Sequence, residues 1–282
     1  MKSGLIMEGG GMRGMFTAGV IDHLMENGVE FDGAIGVSAG AAFGCNYKSK
    51  QTGRGARYNL KYINDPRYCG LKVLLKTGNM FSTEFCYRDI PLKYDIFDFD
   101  AYENNPMEFY VVATDAETGE AVYHKYTGRD DACFDWIRAS ASLPLVSQFV
   151  EINGQKLLDG GIADSIPLKY FESIGYDRCV LILTQPADYV KGENRMLPIA
   201  KLKYRKYPNL VRAMRDRHLI YNEATAYVKE REAEGSVFVI RPKEALDLSR
   251  LEKDPEKLRL AYALGKSAAE EKLSALRTFL SV

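Results

Sequence analysis

Twice within the first fifty residues, a short apolar run passes through glycines into a segment of helical periodicity. "GLIM" (4–7) leads through "EGGGMRG" (8–14) into "MFTAGVIDHLMENG". There Phe16, Val20, Ile21, Leu24 and Met25 recur at the spacing of one helix face and stop at Gly28. "FDGAIGV" (31–37) then leads through Ser38 into "AGAAFGCNYK". A strand–helix–strand unit of this length makes a right-handed crossover between parallel neighbours. Both turns, the glycine-rich one and the one at Ser38, therefore fall at the same edge of one sheet. This constraint governs how the rest of the chain is read.

The alternation continues. "EFYVVATDAETGEAVYHKY" reads as a hairpin around "ETGE", "FDWIRASASL" as a helix ending before Pro144, and "KLLDGG" as a short strand. "SIPLKYFESIG" is helical, and "RCVLILT" has the near-continuous apolarity of a strand buried on both faces. The long helix "NLVRAMRDRHLIYNEATAYVKEREAEG", the strand "SVFVIRP" and the helix "DPEKLRLAYALGKSAAEEKL" close the chain. The expected fold is α/β, a mainly parallel central sheet with helices on both faces, followed by a helical C-terminal extension. Residues 1–185 read as the core, with an insertion of helices and loops at about 50–108. Residues 186–282 read as the extension packed on it.

With 282 residues the chain can bury a large core. Lys+Arg and Asp+Glu both number 38, so the formal charge is zero and a general nucleic-acid binder is not expected. Five scattered cysteines (Cys45, Cys69, Cys86, Cys133, Cys179), none in a C-x-x-C pair, suit a reducing cytoplasm better than a disulfide framework or zinc cluster. No apolar run approaches the roughly 20 residues that span a bilayer. The start "MKSG" runs straight into a strand, leaving no room for a signal peptide. A cytoplasmic protein is the expectation.

Glycines before a helix admit left-handed torsions, let another group approach the backbone and expose unpaired N–H groups at a positive dipole end. Such a turn suits a phosphate or a transition-state oxyanion. Gly9, Gly11 and Gly14 also fit the dinucleotide fingerprint G-x-G-x-x-G, which places an acidic residue at the C-terminal end of the second strand. Here Asp32 stands at the beginning of that strand, whereas its end carries Gly36, Ser38 and Gly40, a G-x-S-x-G at a strand-to-helix turn. Ser38 beside the N–H groups of Gly10 and Gly11, aided by Arg13, is what acyl transfer requires. Its base is either His218, in a charged helix, or Asp159 in "LLDGG", where Gly160 and Gly161 allow a sharp turn. A carboxylate of ordinary pKa near 4 is a weak base and serves only at hydrogen-bond distance in a dry site.

"EGGGMRG", "GVSAG", "ASASLPLV" and "LDGG" together, in this order, resemble the four blocks of the patatin-like phospholipase family, over roughly residues 4–185. The resemblance implies a patatin-like fold and hydrolysis of lipid acyl esters by a Ser–Asp dyad without histidine, metal or cofactor. By position, Ser38 would be the nucleophile and Asp159 its base. Gly9, Gly10, Gly11 and Arg13 would match the oxyanion loop, Gly36 and Gly40 the nucleophile elbow, and Ser140 to Pro144 a supporting block. Ser165 in "DSIP" departs from the Asn that many members carry there. The last hundred residues look like the C-terminal extension of a bacterial subgroup.

Between Tyr189 and Leu219, nine Lys/Arg face only Glu193 and Asp216, with Leu202, Tyr204 and Tyr207 interleaved. This stretch suits an anionic membrane surface; the competing reading is a solvated face pairing with the acidic Asp95–Glu108 region. "LKVLLKTGNMF" reads as a lid, an acyl-chain wall or plain core. Besides the hydrolase, a catalytically silent lipid-binding module and a dinucleotide-dependent enzyme remain open at this point.

Overall fold

The computed structural model describes residues 1–129, 132 and 134–281; Cys133 lies outside them. The order of elements is β1 (Lys2–Met7), α1 (Gly14–Glu26), β2 (Gly33–Val37), α2 (Ala39–Lys48), α3 (Arg54–Tyr62), α4 (Leu71–Thr77), α5 (Phe99–Asn104), β3 (Glu108–Asp115) and β4 (Ala121–Lys125). It continues with α6 (Asp135–Ser140), β5 (Val150–Ile152), β6 (Gln155–Asp159), α7 (Leu168–Ser173), β7 (Tyr176–Ile182), α8 (Leu197–Lys203), α9 (Pro208–Ala233), β8 (Val237–Ile240) and α10 (Pro255–Ser281). The expected fold class is what forms. β1 is central, flanked in parallel by β2 and β7; β3 pairs in parallel with β2 and β8 with β7.

Strand alternation divides the apolar residues between two faces. Leu5, Met7, Ala34, Val180 and Ile182 point into a core with α1, α2 and α10. Ile6, Ile35, Val37, Leu181 and Val239 point the other way, under α7 and α9. The segment 50–108 contributes α3, α4, a π-helical stretch (Phe85–Tyr94) and α5. Within it Asp95 is engaged by Arg54 and Arg57, and Glu108 by Lys125, so neither acid neutralises the 189–219 stretch.

Three antiparallel strands complete the sheet. The expected hairpin is β3–β4, pairing residues 110–114 of β3 with 121–125. β2 pairs with residues 108–112 of β3 and so lies on its other edge. β6 pairs with 113–115, where β4 already occupies one edge, so it must take the edge β2 has vacated. β2 and β6 therefore run head-on along β3. Val37 is the last β2 residue in register, opposite Val112; Asp159, the last of β6, is opposite Ala113. Ser38 and Asp159, 121 residues apart, meet where the two strands end.

Candidate functional site

Ser38 follows β2 directly and caps α2 with φ 55° and ψ −119°, a left-handed backbone that a non-glycine residue rarely adopts. The flanking glycines make that turn possible. A Cβ on Gly40 would lie 2.3 Å from the Met7 carbonyl oxygen, and one on Gly36 would lie 2.5 Å from the Ala41 nitrogen. The Ser38 side chain, buried in the fold, donates its hydroxyl hydrogen to Asp159 Oδ2 at 2.5 Å.

Asp159 is held on every side. Its Oδ1 accepts from the Gly161 N–H at 2.8 Å, and its carbonyl accepts from Thr114 Oγ1 at 2.9 Å. Burial raises its carboxyl above the ordinary range; the Ser38 hydroxyl, Arg217, the Gly161 N–H and Arg250 pull it back only in part. The stretch Ser140 to Pro144 supports both partners: Ser140 Oγ accepts the Ser38 N–H at 2.8 Å, and the Ser142 carbonyl accepts the Asp159 N–H at 2.9 Å. Ser165 donates to the Gly161 carbonyl at 2.9 Å, steadying the same turn.

The glycine turn lies against Ser38, where a Cβ on Gly9 would come within 2.9 Å of the Ser38 Cβ. Gly11 has φ 58°, and Gly11–Arg13 form a single 3-10 turn entering α1. Among the described residues, the N–H groups of Gly9, Gly10 and Gly11 have no acceptor within the protein. Gly10 is buried and Gly9 and Gly11 are half-buried, and all three line one pocket with Ser38, where free backbone donors at the entry to a helix suit negative charge. Arg13 is also buried, and its Nε has no partner.

Other sequence expectations fall elsewhere. His218 is on α9 with its Nδ1 3.0 Å from the Arg215 carbonyl oxygen, and it bonds to neither Ser38 nor Asp159. Asp32 sits at the opposite end of β2, accepting from the N–H and hydroxyl of Ser3 at 2.7 and 2.9 Å. No trio of His, Cys, Asp or Glu side chains among the described residues is arranged to hold a metal.

Some site residues escaped the sequence reading. Glu8, almost wholly buried, receives the Tyr221 hydroxyl on Oε1 at 2.7 Å and the Thr184 N–H and hydroxyl on Oε2 at 2.6 and 3.1 Å. It ties the start of the glycine turn to β7 and α9. Its place directly before the three glycines was the available signal. Lys191 and Arg217 belong to the basic stretch read as surface, yet both line the space around Ser38 and Asp159. Ser38 also lines a cavity of about 110 Å³ walled by Met12, Phe43, Tyr58, Phe81, Ile90 and Ile137, largely from α2 and the 50–108 segment.

A family model described as patatin-like phospholipase matches residues 5–172, and a second, described as a domain of unknown function (DUF6363), matches residues 207–281. The chain belongs to the patatin-like phospholipase family. An uncharacterized Escherichia coli protein, YjjU, is 28% identical over 93% of this chain and 74% of its own length. An uncharacterized NTE family protein of Mycobacterium bovis is 28% identical over 63% of this chain and 48% of its own. A lysophospholipase nte1 of Aspergillus niger is 28% identical over 62% of this chain but only 11% of that protein. The chain thus spans about half the length of the mycobacterial relative and far less of the fungal one. Among solved structures, VipD from Legionella pneumophila superposes with a TM-score of 0.50 at 14% identity, covering 97% of this chain and 67% of its own, a likeness of fold. Lipid hydrolysis is the activity that this family membership supports.

Proposed function

We propose that the chain is a serine-dependent lipid acyl hydrolase of phospholipase or lysophospholipase type, working through Ser38 and Asp159. The observation that carries this reading is the 2.5 Å bond between Ser38 Oγ and Asp159 Oδ2, buried at the junction of two strands. Ser38 Oγ attacks the acyl carbonyl as its proton passes to Asp159 Oδ2. Burial makes Asp159 a better base than an exposed carboxylate, and the Gly161 N–H holds its other oxygen in place. Charge developing on the carbonyl oxygen is met by the unpaired N–H groups of the Gly9–Gly11 turn, with Arg13 beside them. The leaving alcohol takes the proton from Asp159. Water, deprotonated by the same carboxylate, then frees the acyl chain from Ser38. The apolar cavity that Ser38 lines suits that acyl chain, and cleavage needs no histidine.

The reading extends to where the protein works, which we take to be the cytoplasm and the surface of an anionic membrane. No described helix is long and apolar enough to cross a membrane, and exposed Val190, Met196, Ile199 and Leu202 interleave with Arg195, Lys201 and Lys203.

The test is intact-mass analysis after treatment with a fluorophosphonate ester, with activity on a lysophospholipid measured in parallel. One adduct is expected on the wild type and none on Ser38→Ala. Ser38→Ala and Asp159→Asn each lose at least about a thousandfold in kcat, as expected when a member of a nucleophilic pair is removed. His218→Gln retains activity. An inactive His218→Gln with an intact fold would overturn the dyad. No adduct on the wild type would favour a silent lipid-binding module.

A further inference from the structure

Four cations converge beside the proposed nucleophile from separate parts of the chain. Arg13 comes from the glycine turn, Lys191 from the loop after β7, Arg217 from α9, and Arg250 from the segment before α10. A pocket of about 30 Å³ lies between them, the glycine turn, Ser38 and Asp159. A wider cavity of about 530 Å³ adjoins it and shares Asp159, Gly161, Lys191, Arg217 and Arg250 as lining. None of the four cations comes within ion-pairing distance of a carboxylate among the described residues. Glu8, a buried acid whose charge acts on Arg13 and Lys191, accepts three hydrogen bonds from Tyr221 and Thr184.

This crowding is built, not incidental. Lys191 is buried, with its ammonium 3.8 Å from the Tyr221 ring centroid. Its backbone is clamped to α9 by two bonds: its N–H donates to Asn222 Oδ1 at 2.8 Å, and Asn222 Nδ2 donates to its carbonyl at 3.0 Å. Arg217 lies four residues before Tyr221 on the same α9 face, and its Nε donates to the Gly161 carbonyl. Arg250 is exposed, but its carbonyl accepts the Met12 N–H at 3.1 Å, which fixes it against the glycine turn. Burial, together with Arg217, Arg250 and Arg13, pushes the Lys191 ammonium down to about 7. Arg13 and Lys191 are buried, Arg217 is half-buried and Arg250 is exposed; Asp159 and Glu8 offset part of their charge, but a buried cation without an ion pair still lowers stability. An anion placed among them lowers that penalty, and the guanidinium groups of Arg217 and Arg250 offer the forked donors that phosphate accepts.

We infer that Lys191, Arg217 and Arg250 form a phosphate subsite for an anionic lysophospholipid, with Arg13 left to the small pocket beside Ser38. This inference rests on the hydrolase reading. It goes further in giving the substrate an anionic headgroup and in assigning the recognition of that headgroup to the C-terminal region, outside the residues matched by the phospholipase model. The small pocket has room for about one water-sized group and takes the ester carbonyl oxygen. The acyl chain extends into the apolar cavity, and the phosphate, a glycerol's length away, lies in the wider cavity.

Binding to Ser38→Ala protein tests the subsite without turnover, after its melting temperature is matched to wild type. Calorimetric titrations use lysophosphatidate and monoacylglycerol of the same chain length, below their aggregation concentrations, and inorganic phosphate alone. Lysophosphatidate is expected to bind at least tenfold more tightly than monoacylglycerol. Lys191→Gln or Arg250→Gln, added singly to Ser38→Ala, lowers that ratio about tenfold, the scale of one charged contact. Lys191→Arg preserves it, and because the readout is a ratio, a general weakening of the fold cancels. Equal affinity for the two lipids, or a ratio unmoved by both variants, overturns the subsite. Inorganic phosphate binding as tightly as lysophosphatidate marks a free-anion pocket and overturns the headgroup assignment. Failure of the hydrolase reading shows separately, as absence of a fluorophosphonate adduct on wild-type Ser38.

Discussion

Asp159 carries opposing demands. As a proposed base it must be ionised, yet burial favours its neutral form, and the net shift remains upward with Arg217 and Arg250 included. A carboxyl whose folded pKa exceeds its unfolded value stabilises the fold fully only when protonated. That contribution is lost as pH rises from the unfolded value near 4 through the folded one, and above both it is absent. Asn at this position is always neutral, so Asp159→Asn should raise the melting temperature at pH 7 by a few degrees, the effect of about 1 kcal/mol in a domain of this size. The difference should close as the pH approaches 4. Thermal melts from pH 4 to 8 decide it: a variant that melts below wild type at pH 7 refutes the burial argument. The same shift has a kinetic consequence, since kcat/KM should fall as pH drops through a value above the ordinary carboxylate range.

Ser38 and the glycine turn were legible residue by residue, because each sits in a local pattern with its own chemical reason; for the base the residues left His218 and Asp159 open, and only the family resemblance favoured Asp159. Lys191 and Arg217 were not legible. A basic residue reads the same in sequence whether it faces water or a buried anion site, and only tertiary packing turns two of the nine inward.

At the scale of elements, α10 crosses α1 backbone to backbone. A Cβ on Gly19 would lie 2.0 Å from the Tyr262 carbonyl oxygen, and one on Gly265 would lie 2.0 Å from that of Phe16. The Tyr262 hydroxyl also reaches Asp22 Oδ2 at 2.8 Å, and Lys266 pairs with Glu26. Ala for Gly inside a helix ordinarily stabilises by about 0.5–1 kcal/mol. Here a methyl against backbone would force the helices apart, and overpacking of that kind costs about 1–3 kcal/mol. The clash should win. Gly265→Ala is expected to lower the urea midpoint with the slope unchanged, and a raised midpoint would refute the close crossing. In the sequence both glycines look like weak helix positions, and nothing local announces that residues 246 apart touch. The course of β6 was equally hidden. "KLLDGG" reads as a strand, but its head-on approach to β2 depends on β3 being three residues longer than β2, which leaves 113–115 unpaired on that edge.

At the scale of the whole molecule, the proposed chemistry and the proposed membrane face share one rim. Arg195 and Met196 line the wide cavity that reaches Asp159, and Ile199 and Leu202 lie exposed on the adjoining α8. A lipid leaving a bilayer at this rim would meet the cations before the nucleophile. Flotation with vesicles should therefore show binding to anionic but not zwitterionic membranes, weakened several-fold by 0.5 M salt as screening predicts. Equal flotation with both vesicle types would remove the electrostatic part of that reading.

The sequence by itself determined the α/β class and the two turns, at the glycines and at Ser38, that share one sheet edge. These follow from local periodicity, from glycine's backbone freedom and from the handedness of a crossover, all of which act over a few tens of residues. Only the tertiary structure decided that β8 and α10 build the end of the chain into the same sheet and core, and that α9 brings Arg217 to the turn after Asp159. Those outcomes depend on which surfaces bury one another across two hundred residues, and that is a property of the packed molecule that no local pattern encodes.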